Sequence, residues 1–129
     1  MRAGVSLLTS LLVSLLLAPA TASADGSMTA QRISELYHAY YGMGVIDACG
    51  LDSWEVHDGY DRRIRYLLLT ADLDDESVRR IRIKGWIEAD YQLDNHGLGG
   101  YRFWCAQDGR GAMKDFLAFR AQELGSTRN

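Results

Sequence analysis

The sequence predicts an all-α protein, a small bundle of four main helices closed by one long-range disulfide. Three observations carry that expectation. Apolar side chains recur at three- and four-residue spacing in four separate stretches, the period of a helix with one face turned inward. Pro19 is the only proline, so nothing after the N-terminal region is barred from helix on that account. Strand signals are weak: no Asn-Gly or Asp-Gly turn separates two alternating β-branched runs, and Asp108-Gly109 leads into a helical pattern instead.

The N-terminus sets the context. Arg2 precedes an apolar run over residues 5–17, Pro19 breaks that run, and Ala22-Ser23-Ala24 supplies small residues where a signal peptidase inspects them. This three-part layout is that of a cleavable secretory signal. Residues 1–24 are therefore read as the signal peptide and residues 25–129 as a single domain. A membrane span needs about 20 consecutive apolar residues; this run is shorter and carries Ser6, Thr9, Ser10 and Ser14. No later stretch is apolar enough to span a bilayer, and the residue directly after the cleavage site is Asp25, not a cysteine that could take a lipid anchor. The expected location is secreted or periplasmic.

Cleavage would leave about 105 residues, one domain's worth. The whole chain carries a net charge of −3, and losing Arg2 makes the remainder slightly more acidic. Such a protein lacks the positive field that nucleic acid or anionic lipid rewards, so no nucleic-acid partner is expected. The two cysteines, Cys49 and Cys105, both survive cleavage. In an oxidising compartment such a pair reads as a disulfide, and the absence of a CxxC spacing argues against redox chemistry.

The first helix is expected over residues 29–48, with Ile33, Leu36, Tyr37, Tyr40 and Gly44 on one face. Gly50 sits where a left-handed C′ residue belongs, and Leu51 can fold back on Ile46 in a Schellman stop. The second helix follows at once. Asp52 is the expected N-cap, with Glu55 at the capping-box position and Leu51 and Val56 at the hydrophobic-staple positions. Its stripe of Val56, Tyr60, Ile64, Leu67, Leu68 and Ala71 runs to about residue 70.

An acidic stretch over residues 72–76 breaks the pattern and favours a new helix N-terminus. The third helix is expected over residues 75–93. Its apolar residues (Val78, Ile81, Ile83, Trp86, Ile87, Ala89, Tyr91, Leu93) occupy more than one face, which suits an element packed between others. Residues 95–100, rich in glycine, form the strongest loop signal, letting Cys105 turn back toward Cys49. Residues 101–107 could be a short helix or irregular. A last helix over residues 111–124 presents Met113, Phe116, Leu117 and Leu124 on one side.

No motif for catalysis, cofactor or metal stands out. Arg62, Arg63, Arg65, Arg79, Arg80, Arg82 and Lys84 suggest a basic surface. However, Asp58–Arg62, Asp61–Arg65, Asp75–Arg79 and Glu76–Arg80 are acid-before-base pairs at i,i+4, the pattern of a solvated helix face. His57 and Asp61 stand one turn apart, a spacing that can hold a metal, but no HExxH or paired-His motif supplies the remaining ligands. His96 is read as a cap at the end of helix three and His38 as a rim residue. No serine sits on a GxSxG elbow, and residues 97–100 match no phosphate-loop pattern. No cofactor and no catalytic residue is assigned.

Two features call for partners. Asp47 falls about four turns after Ile33 on the apolar face, in the last helical turn, where an anion is disfavoured. Arg102, close in sequence to Cys105, is the expected counter-ion, making Asp47–Arg102 an ion pair or a polar site. Tyr101, Phe103 and Trp104 form a candidate aromatic binding patch beside the disulfide. The expected function is that of an exported, non-enzymatic protein that binds a protein partner, as an envelope accessory subunit, chaperone or inhibitor would. The alternative is a small enzyme or metal protein using Asp47, His57, Asp61 and Arg102.

Overall fold

The computed structural model describes residues 23–96 and 99–127, and every regular element among them is helical. The expected leader lies almost wholly outside the described residues, as do Gly97 and Leu98 of the glycine-rich loop. The elements are α1 (Ser23–Cys49), α2 (Trp54–Ala71), α3 (Asp75–His96), the short α4 (Tyr101–Trp104), a π-helical turn (Cys105–Gly109) and α5 (Arg110–Ser126). The run from α4 through α5 is continuous, so the architecture is four main helices, as the sequence predicts. Helix one extends further toward the N-terminus than expected, and helix three runs on through Asn95 and His96.

Local chemistry accounts for the boundaries. α1 ends in a full Schellman motif: Leu51 N–H donates to the Ile46 carbonyl at 3.1 Å and Gly50 N–H to the Asp47 carbonyl at 3.2 Å. Gly50 holds the required left-handed backbone, φ +62°. The N-cap of α2 is Ser53 rather than Asp52, its Oγ accepting from Val56 N–H. The Schellman turn ends on Leu51, and α2 begins one residue later than expected. The staple positions flanking Ser53 then fall to Asp52 and His57, which face each other at 3.9 Å as a polar pair. At the other end Asp72 takes a left-handed conformation, φ 47°, which a short polar side chain tolerates. Asp74 caps α3, accepting from Ser77 N–H at 2.8 Å. That bond holds its carboxyl below the usual carboxylate value.

α1 is the central element. On one side Leu36, Tyr40, Met43 and Ile46 meet Val56 and Leu67 of α2 and Phe116 of α5 in the main core. On the other, Val45 packs with Ala89 of α3 and Trp104 of α4 beside the disulfide. Each large side chain so buried is worth about 1.5–3 kcal/mol. The α1–α3 contact is close because its seam is built from small residues. A Cβ on Gly85 would stand 2.9 Å from Tyr40 Cβ and 3.0 Å from the Tyr41 backbone nitrogen.

Charged side chains lace α1, α2 and α5 together from outside. Glu35 receives Arg32 at 2.9 Å and Arg63 at 3.3 Å. Three guanidiniums also lie over rings: Arg32 on Tyr66, Arg63 on Phe119 and Arg120 on Trp54. Two of the four expected i,i+4 pairs form, Asp58–Arg62 and Glu76–Arg80. Arg79 reaches Glu76 three residues back rather than Asp75. Asp61–Arg65 is not among the ion pairs of the described residues.

Candidate functional site

The disulfide corner is where the sequence directs attention first. Cys49 and Cys105 are bonded, with Cα atoms 5.6 Å apart, joining the end of α1 to the π-helical turn. Gly109 closes that turn against Leu51 Cδ1 and Cys49 Sγ, which would stand 3.0 Å and 3.2 Å from any Cβ there. Tyr101 donates its hydroxyl to the Ala48 carbonyl, satisfying one of the acceptors a helix leaves open at its C-terminus.

The aromatic patch is divided by this packing. Trp104 is buried and stacks on His96, with ring centroids 5.7 Å apart. Tyr101 is half-buried against the second core. Phe103 alone of the three faces solvent, at 66% exposure. His96 lies with Nδ1 2.7 Å from the Gln92 carbonyl, at the end of α3 where a cap was expected. His38 sits exposed at the rim, edge-on to Tyr37.

Asp47 and Arg102 are not joined. Both are exposed, and Arg102 makes no ion pair among the described residues. The Schellman corner instead turns the start of α2 back toward Asp47, so its neighbours are Asp52 and His57, each offering a ligand atom within 4.8 Å of the others. Desolvation of the Asp47 carboxyl raises its pKa, His57 offsets part of this, and Asp52 adds to the rise. Two carboxylates and an imidazole could hold a divalent cation of the zinc or manganese type. Asp52 and His57 are half-exposed, so water competes for each ligand position. Asp61 is exposed and does not belong to the cluster.

A groove of about 590 Å³ runs between α1 and α5, bordered by Glu35, His38, Arg63, Asp108 and Asp115. Here the π-helical turn positions Asp108 to accept from the Tyr41 hydroxyl at 2.9 Å, while Trp104 Nε1 donates to the same hydroxyl at 3.3 Å. Burial above all pushes the Tyr41 pKa up to about 12, so the phenol stays neutral at physiological pH. The groove's ionic groups are largely committed: Glu35 to two arginines and Asp108 to Tyr41. Ser53, Ser77 and Ser126 are likewise engaged at helix ends, in bonds to Val56 N–H, the Asp74 carboxylate and the Gln122 carbonyl.

The surface that departs most from expectation is the outer face of α3. Ile83, Trp86, Ile87 and Tyr91 are 41%, 52%, 62% and 60% exposed. The sequence places this helix between others. In the structure its backbone approaches α1 and α4 but neither α2 nor α5. Gly85 and Ala89 are the buried residues of the seam facing α1, Val78, Ile81 and Leu93 pack partly against the two cores, and Ile83, Trp86, Ile87 and Tyr91 are left on the outer side. Gly85 and Ala89, one turn apart, are the sequence signal that identifies the inward face. No protein-family model matches this chain, and no curated protein or solved structure matches it either.

Proposed function

We propose that this is an exported, non-enzymatic protein that works by binding another protein through the outer face of α3. One observation carries the reading: Ile83, Trp86, Ile87 and Tyr91 form a continuous apolar stripe on a helix whose opposite side packs on α1. Large apolar side chains exposed together, rather than singly, mark interaction surfaces. Trp and Tyr are favoured anchors in such contacts because they bury much area at little conformational cost. Export rests on the leader-like residues 1–24, and the Cys49–Cys105 disulfide supports it.

The test is site-specific photo-cross-linking in the native envelope, with the reactive side chain at position 87 and a control at Leu69, which is 80% exposed on α2. Discrete protein adducts at position 87 and none at the control are expected. Adducts to lipid alone, or equal labelling at both positions, would overturn the proposal.

A further inference from the structure

We infer that the partner seated on α3 is a second copy of this chain, with the two α3 helices packed antiparallel about a two-fold axis at Ile87. The inference rests on the reading of α3 as the binding surface and names its occupant.

The argument begins with where charge falls along the stripe. Ile87 lies near the middle of the outer face. Seven residues before it stands Arg80, and seven residues after it stands Asp94, both exposed. Seven residues are about two helical turns, so all three share one line along the helix. Ile83 and Tyr91 flank Ile87 at four residues on either side, as Lys84 and Asp90 do at three. The face is thus basic at one end, apolar in the middle and acidic at the other.

A helix of this kind is complementary to itself reversed. In an antiparallel pair centred on Ile87, each Arg80 meets the other copy's Asp94, each Lys84 its Asp90, and each Ile83 its Tyr91. The two Ile87 side chains meet at the axis. This is an isologous contact, in which every favourable pairing occurs twice. A parallel pair would set Arg80 on Arg80 and Asp94 on Asp94, and like charges opposed across an interface are strongly disfavoured. Glu76 already approaches Arg80 at 3.4 Å. That pair is largely exposed and holds the guanidinium weakly, leaving it able to turn to a better partner. The backbones of α2 and α5 stay clear of α3, which leaves room for a neighbour along its length. One helix face is a small interface, of the size class of weak, transient contacts, so association is expected only as protein concentration rises.

The experiment is sedimentation velocity on the purified exported protein across a concentration series, with three variants. The native chain is expected to pass from monomer to dimer as concentration rises, and added salt should weaken the association. Ile87→Asp should remain monomeric with an unchanged helical spectrum, since its side chain touches solvent in the monomer. Arg80→Asp and Asp94→Arg should each weaken dimerisation at least about tenfold, because each puts like charges together twice. Mixed in equal amounts, those two variants should recover native-like dimers, since every contact is again between opposite charges. A native chain that stays monomeric, a dimer that survives Ile87→Asp, or a mixture no better than its components would each overturn the inference. A monomer that still yields adducts to other proteins from position 87 would defeat the two-fold pairing alone. A monomer that yields none would defeat the binding role with it.

Discussion

Asp58 of α2 accepts a hydrogen bond from Arg120 Nε of α5 at 2.8 Å, and a second from Arg62 Nε at 3.0 Å. The carboxylate is thus a bridge between two helices with distinct places in the sequence. Hydrogen bonds from Arg62 and Arg120 hold its pKa below the ordinary carboxylate value. A group depressed in the folded state stabilises fully above its unfolded pKa, about 3.9 for aspartate, and that contribution is lost as pH falls through the lower, folded value. Asp58→Asn should therefore lower the melting temperature slightly at pH 7. The curves of variant and native protein, followed by circular dichroism, should converge as pH falls through the folded value of Asp58.

Asp47 has the opposite sign. Its pKa is raised in the folded protein, so its charge opposes folding at neutral pH, and the handicap fades as pH falls through the folded value toward the unfolded one. Asp47→Asn removes an anion from the last turn of α1, a change worth about 0.3–1 kcal/mol at such positions. Loss of the attraction to His57 offsets part of it. The melting temperature at pH 7 should rise by about 1–4 °C, and the gain should shrink in acid.

The disulfide spans 56 residues. Closing a loop of that length costs the unfolded chain entropy worth about 4 kcal/mol. Urea unfolding with and without reductant should show a loss of that order, and Cys49→Ser with Cys105→Ser should match the reduced native protein.

Gly85 packs against the backbone of α1 in the α1–α3 seam. Gly85→Val brings side-chain atoms against the α1 backbone at Tyr41, which cannot yield as a flexible side chain can. A loss of about 1–3 kcal/mol is expected, read as an earlier urea midpoint. The far-UV spectrum should remain helical.

Features governed by a few neighbouring residues were legible in the sequence. The Schellman stop at Gly50 and Leu51 forms as the local pattern requires, and two cysteines leave a single pairing. The N-cap of α2 falls one residue late because Asp52 and Ser53 are both good caps, and only the geometry of the preceding turn chooses between them. Asp47 shows the limit of periodicity. It continues the line of Leu36 and Tyr40, yet the chain reverses just beyond it, so it meets the polar first turn of α2 instead of the core. Helix three departs from expectation for a related reason. Its apolar residues surround the helix, and periodicity cannot say that α1 and α4 cover one side of them while α2 and α5 stay clear of the other. The π-helical turn depends on contacts far apart in sequence, with Gly109 seated on Cys49 and Leu51, and no local pattern announces it.

Because Cys49 and Cys105 lie on either side of α2, α3 and the glycine-rich loop, a protease that severs the backbone once anywhere between them liberates nothing. The two fragments remain one covalent molecule, of native mass on a non-reducing gel and separable only after reduction. Such a nicked form can keep all its helices in place. In a protease-rich compartment, a cut in the connection between α3 and α4 would not by itself end the working life of the protein.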